Sequence, residues 1–274
     1  DPLVPWADAL KYYNKVCEKM GGYEKIKDFF RLFILPGKAH GNGGKGVNTL
    51  WGDENQTDIF DTLINWCEEA LVQAELCQNT SGKQWVMVML GSLYKRNGLI
   101  GEALELFQQS KVEAQEKKDG LGMLNSLHTL VDLFLYWNVP EYANRYASEA
   151  IQVEKAMTVE NPMISAQTYI NKGRALQQLG VTDSVPFYAA KARELCQSLP
   201  YNSGMVDVNL LFGTYLTEKG GDSLQAGITE LQQVTQQGTV VNRTKAYHQL
   251  AQTYLKNKEN DRAEAMLDSM YTLL

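Results

Sequence analysis

The chain has 274 residues, 44% of them hydrophobic, and its 32 Asp and Glu against 26 Lys and Arg give a net charge of -6 and a pI near 5.2. That length suits one elongated array or two domains, and the acidic balance argues against nucleic acid or an anionic membrane as the main partner. No apolar run approaches the roughly 18 residues of a membrane helix, so no membrane partner is expected and the chain reads as soluble, intracellular or exported. Asp1 in place of an initiating methionine reads as a processed form or an excerpt. Cys17, Cys67, Cys77 and Cys196 form no CxxC pair, so neither a metal site nor a disulfide scaffold is expected, and no cofactor either. Sequons begin at Asn55, Asn79 and Asn242; in a chain of this length they decide nothing.

Residues 1–66 open with Asp1-Pro2-Leu3-Val4-Pro5, and an amphipathic helix is predicted from Ala7 to Met20, with Leu10, Tyr13 and Cys17 on one face and Gly21-Gly22 after it. The run Phe29-Phe30-Arg31-Leu32-Phe33-Ile34-Leu35 is apolar at six of seven positions and is stopped by Pro36-Gly37. It predicts a central, parallel strand covered on both faces. A glycine-dense loop through Gly46 follows, with His40 inside it; Gly46 stands where a phosphate-binding loop needs Ser or Thr after Lys45. One strand and about 66 residues bury too little to stand without a sheet around them. Either a second chain completes the sheet around Phe29 to Leu35, or the strand docks on the rest of the chain, or two unrelated pieces are joined.

Taken in order, these residues resemble the C-terminal part of the tannase and feruloyl esterase family, serine hydrolases of the α/β type. The resemblance rests on Asp1 to Pro5, Tyr12-Tyr13, Gly21-Gly22, Phe29 to Phe33, and Pro36-Gly37 followed by His40 and the glycine cluster. It ends near Trp66. It implies that Asp1 is the acid and His40 the base of a catalytic triad, in which the carboxylate fixes the histidine tautomer and stabilises the imidazolium. The order Ser, Asp, His suits that fold. Two departures bear on this: Gly41 follows His40 where the family commonly has a cysteine, and no G-x-S-x-G nucleophile elbow occurs in the chain. Gly221-Asp222-Ser223-Leu224 spells the opening of another esterase motif, yet it falls between two predicted helices, where Ser223 reads as a turn or N-cap residue.

From Thr57 the positions Phe60, Leu63, Cys67, Ala70 and Ala74 predict one helix leading into the remainder, with Asn79-Thr80-Ser81-Gly82 as the first turn. Gln84 to Gln115 then reads as two antiparallel helices. The small residues Gly91 and Ala103 lie where the helices cross, with Tyr94 and Phe107 beside them and Gly98 between. The spacing returns at Leu124, Ala166, Val206 and Thr244, with offsets of 40, 42, 40 and 38 residues. The third copy has Val185 in the usual place of alanine, and the fourth slips by one residue around Ala226. Asn161-Pro162 is an N-cap signal, and Gly98, Gly180 and Gly220 are helix stops. Met266, Leu267, Met270 and Leu273 make the last helix apolar for an end that faces solvent, so something is expected to follow it or to pack on it.

This pattern resembles the tetratricopeptide repeat, and offsets above the usual ~34 predict one or two extra helical turns per unit. The expected fold is mostly α, a superhelix of about five hairpins over residues 71–274, preceded by a short α/β-hydrolase-like segment over residues 1–66 with one apolar strand. The resemblance implies a concave groove lined by the first helix of each pair. Its candidate residues are Lys95 and Arg96 in the first copy, and Asn125, His128, Asp132 and Tyr136 in the second. The third copy offers Gln167, Arg174 and Gln178, and the fifth Lys245, His248 and Gln252. Such a polar groove of mixed charge suits an extended peptide or a protein segment. His128 and His248, two or more repeats apart, argue against a shared metal. The favoured reading is an interaction scaffold or sensor module that is not catalytic on its own. The alternative is a hydrolase of aromatic esters of the gallate or ferulate type whose nucleophile half lies outside this chain, and a third is a non-catalytic remnant resting on the repeats.

Overall fold

Apolar residues recur every three or four positions along the second part of the chain, and each such run forms a helix. The computed structural model describes Lys19 and residues 59–157, 161–198 and 203–273. The chain divides into two units, Asp1–Thr62 and Leu63–Leu274. The predicted strand Phe29 to Leu35, the helix expected to end at Met20, and Asp1 and His40 lie outside the described residues.

A first helix, α1 (Ile59–Leu76), is followed by five hairpins. These are α2 (Thr80–Arg96) with α3 (Ile100–Glu116), α4 (Gly120–Tyr136) with α5 (Pro140–Ala156), α6 (Pro162–Gln178) with α7 (Val185–Gln197), α8 (Ser203–Lys219) with α9 (Leu224–Gln237), and α10 (Val240–Lys256) with α11 (Asn260–Tyr271). Helices α2 to α6, α8 and α10 each run 17 residues, about 25 Å. This is the extra length that the long offsets called for. Along α1 the buried positions are Ile64 and Ala74, whereas Ala70, expected on that face, is exposed.

Each first helix of a pair packs on the first helix of the next pair as well as on its own partner, while successive second helices do not touch among the described residues. The layer of first helices is therefore the tighter one. The array curves around it, and its inner face is built from α2, α4, α6, α8 and α10.

The crossings rest on small residues. A Cβ on Gly91 would fall 2.5 Å from Phe107 Cε1, and Ala103 is fully buried beside it. In the third hairpin the larger Val185 is buried without exposure. In the fourth, Ala226 is exposed and Gly227 occupies the crossing, so the register slips by two residues from the regular offset rather than by the one expected. One core position departs from the pattern: Leu90, Leu130, Phe212 and Leu250 correspond to Lys172. Its ammonium donates to Asn144 Oδ1 at 2.6 Å and Ser148 Oγ at 2.7 Å, and burial lowers its pKa. At the C-terminal end Met266 packs on the core under α10, while Leu267 and Met270 stay half-buried.

Helix starts follow the cap signals. The side chains of Asn79, Asp119, Asn161 and Thr239 accept from the backbone N–H three residues on. The first turn is thus tighter than expected, since α2 already begins at Thr80. Ser223 ends a short 3-10 turn and makes no side-chain cap bond, consistent with a turn residue. Gly98, Gly180 and Gly220 have φ of +79°, +79° and +70°, as their role of helix stops requires. Lys118 and Lys258 adopt φ of +55° and +62° at equivalent stops, where a β-carbon is unfavourable. Lys118→Gly and Lys258→Gly should each stabilise the array by about 1 kcal/mol, read as a rise in denaturant midpoint; a fall would show that these lysines hold their turns by other contacts.

Candidate binding groove on the inner helices

The inner face gathers charge at its centre. Arg174 on α6 donates from a terminal guanidinium nitrogen to Asp132 Oδ1 on α4 at 2.8 Å and to Asn171 Oδ1 at 3.3 Å. Gln167 Nε2 donates to the same Asn171 oxygen at 2.9 Å, so Asn171, 1% exposed, forms a floor under both side chains. On the next two inner helices, Asn242 Nδ2 donates to Asp207 Oδ1 at 3.1 Å.

These groups feel one another. Burial raises the Asp207 carboxyl, opposed chiefly by Arg174 and the Asn242 hydrogen bond. Burial also lowers the Lys245 ammonium, and the cations of Arg174 and Lys95 push it the same way while Asp132 and Asp207 oppose them. Lys245 is open to solvent on one side, but the concave surface crowds protein around it. Lys95, Asp132, Arg174, Asp207 and Lys245, from five different inner helices, thus surround one polar centre. Such a centre offers both donors and acceptors.

The other expected groove residues divide. Tyr136 is exposed, with Lys95 Nζ 6.0 Å from its ring centroid. Asn125, Arg96, His248 and Gln252 are exposed on the same helices, the last two 3.4 Å apart. Gln178 is spent on structure: its amide donates to Asn138 Oδ1 at 2.6 Å and Leu135 O at 3.2 Å, tying down the α4–α5 turn.

His128 is a correction to the groove set. It is buried between α4 and α6, with Nε2 2.9 Å from Thr168 Oγ1. Because Thr168 donates its hydroxyl to Ile164 O at 3.1 Å, its oxygen is left to accept, which assigns the imidazole proton to Nε2. Burial brings the pKa down to about 4, against the opposing pull of Asp132. His248 sits at the same repeat position but is exposed, so equal spacing does not give equal surroundings.

Sequence reasoning missed Asp207 and Trp85. Both occupy the row that holds Asn125, Gln167 and Lys245, one residue after the aligned starts Val206 and Gln84, and carrying the offset into the first and fourth copies would have found them. Trp85 is 65% exposed.

Comparison with known proteins fits the helices and the N-terminal motifs separately. Residues 244–269 match the family model of the tetratricopeptide repeat. The array carries this repeat. Over 79% of this chain and 91% of its own length, the crystal structure of BtubC (BKLC) from P. vanneervenii superposes with a TM-score of 0.63 at 17% identity, a likeness of fold alone. Residues 1–108 match the tannase and feruloyl esterase family model, reaching past Trp66 into the first repeat hairpin. A probable feruloyl esterase B-2 from Aspergillus fumigatus is 32% identical over 79 residues, covering 26% of this chain and 15% of that protein. Feruloyl esterase C from Talaromyces stipitatus is 25% identical over 79 residues, with the same coverage. An uncharacterized esterase from Xanthomonas campestris is 28% identical over 90 residues, covering 26% of this chain and 16% of that protein. The chain thus spans about 15% of the length of the curated relatives it matches. Among the described residues no helix is long and apolar enough to cross a membrane.

Proposed function

We propose that the repeat array is a binding scaffold that holds an extended peptide or protein segment along its inner face and has no catalytic role by itself. The observation that carries this reading is the convergence of Lys95, Asp132, Arg174, Asp207 and Lys245 from five inner helices on one polar centre. Surrounding exposed side chains such as Trp85 and Tyr136 add the aromatic contact that interfaces favour. Panning a random peptide display library against the whole chain tests it. Selected peptides should lose about tenfold or more in affinity on Arg174→Ala with Lys245→Ala, since breaking desolvated charge contacts costs on the order of 2 kcal/mol. Peptides that bind the double variant as well as the parent would place the binding surface elsewhere.

A second reading is favoured by the match over residues 1–108: the N-terminal segment belongs to an ester hydrolase whose nucleophile lies outside this chain, with Asp1 and His40 as the acid and base. In that reading a second chain completes the sheet around Phe29 to Leu35. Supplying the missing half should then give cleavage of a gallate or ferulate ester that His40→Ala abolishes.

A further inference from the structure

The centre of the groove carries more positive charge than its own carboxylates neutralise. Lys95, Arg174 and Lys245 stand there with Asp132 and Asp207. Asp132 is committed to Arg174 at 2.8 Å, and Asp207, whose charge burial disfavours, is held by the Asn242 amide at 3.1 Å. Neither Lys95 nor Lys245 has a carboxylate within ion-pair distance among the described residues. The Lys95 ammonium lies 6.0 Å from the ring centroid of Tyr136, which is one helical turn along α4 from Asp132. Lys245 follows Asn242 by one turn of α10. Two uncompensated ammonium groups, from the first and fifth hairpins, thus flank the Asp132–Arg174 pair.

This crowding of cations on one concave surface is unfavourable, and Arg174 and Lys95 both disfavour the charged form of Lys245. Donors are in surplus as well. Both hydrogen bonds that Arg174 gives to its neighbours leave from Nη1, so its other terminal nitrogen is uncommitted among the described residues. Beneath it lies Asn171, 1% exposed, whose Oδ1 is taken by Gln167 and Arg174 and whose Nδ2 is buried without an acceptor. The centre is short of negative charge and of acceptor oxygens.

We infer that this centre seats a phosphate monoester dianion, carried as a phosphoserine or phosphothreonine on the segment that the scaffold holds; the inference rests on the binding reading above. A phosphoryl group brings nearly two negative charges and three acceptor oxygens. It meets Lys95 and Lys245 together and leaves an oxygen for the guanidinium of Arg174. A side-chain carboxylate brings one charge and two oxygens, so one lysine stays uncompensated. Asp132 and Asp207 oppose any anion, but each is already bonded, whereas the two lysines are not.

The probes are N-acetyl-phosphoserine N-methylamide, its serine and glutamate counterparts, and inorganic phosphate. Each is titrated into the whole chain at about pH 7.5, above the second phosphate pKa near 6, and followed by two-dimensional amide NMR. The expected result is a saturable shift centred on Lys95, Arg174 and Lys245 with the phosphoserine probe, with the glutamate counterpart at least about tenfold weaker and the serine counterpart silent. Lys95→Met with Lys245→Met, at partly exposed positions, should leave the chain folded and weaken the phosphoserine probe about tenfold or more. Should that variant misfold, Lys245→Gln alone should still weaken the probe about fivefold. Unchanged binding by whichever neutral variant folds, equal binding of the glutamate counterpart, or tighter binding of inorganic phosphate than of the ester would each overturn the assignment. Panned peptides carry no phosphate, so failure to select any strikes the scaffold reading, whereas their binding together with a silent phosphoserine probe strikes this assignment alone.

Discussion

Acidification from pH 7 to pH 4.5 should cost the parent chain about 2–3 kcal/mol more unfolding free energy than His128→Gln. The folded-state pKa of His128 is pushed down to about 4 by burial, while the unfolded chain retains the ordinary value near 6.5. Above that value both states are neutral and the residue contributes no pH dependence. As the pH falls toward 4 the unfolded chain binds a proton that the folded chain refuses, so stability drops. Below the folded pKa both states are charged and the dependence flattens. Carboxylates also titrate in this window, and comparison with the uncharged glutamine removes their shared contribution. Glutamine can still donate toward Thr168 Oγ1, whose own hydroxyl remains on Ile164 O. The measurement is denaturant unfolding of both proteins at several pH values; parallel curves would mean that His128 is solvated and that the inner helices do not close over it.

Gly227→Ala should cost about 3 kcal/mol, the upper end of overpacking penalties. A β-carbon there would lie 2.8 Å from the backbone nitrogen of Thr217 and 2.9 Å from the carbonyl oxygen of Gly213. Backbone atoms cannot swing away as a side chain can, so α8 and α9 must separate, and Leu231 and Val234, both fully buried, lose contacts with them. Ala226→Ser, one residue earlier on an exposed face, should change stability by less than about 0.5 kcal/mol. Denaturant midpoints of the two variants give the comparison. If the alanine at 227 proved as mild as the serine at 226, the close crossing of the fourth hairpin would be wrong.

These two residues mark the boundary between what local pattern shows and what it does not. A slip near Ala226 was readable because a hairpin repeats its small residues, but its size depended on how α8 and α9 meet. His128 and His248 share one offset, yet one is sealed against Thr168 and the other stands in solvent. That difference arises from the spacing between inner helices, which no single repeat encodes. Lys118 and Lys258 gave no sign that they would stop helices with left-handed backbone, whereas Gly98, Gly180 and Gly220 did. Lysine is placed there by the short turns that join packed helices, between hairpins at Lys118 and within one at Lys258, rather than by its own preference.

By itself the sequence determined the two-helix unit, its number of copies, its long period, most of its caps, and the inner rows that hold Lys95, Asp132, Arg174 and Lys245. It could do so because helical periodicity, capping and close crossings act over a few tens of residues. Its N-terminal motifs likewise carried the likeness to tannase and feruloyl esterase sequences. Only the tertiary structure decided that Asp207 joins those groove charges and that His128 leaves the groove for the core. Each of these depends on the distance and angle between stacked repeats. They are set by the sum of many packing contacts across helices far apart in the chain, not by any one stretch of it.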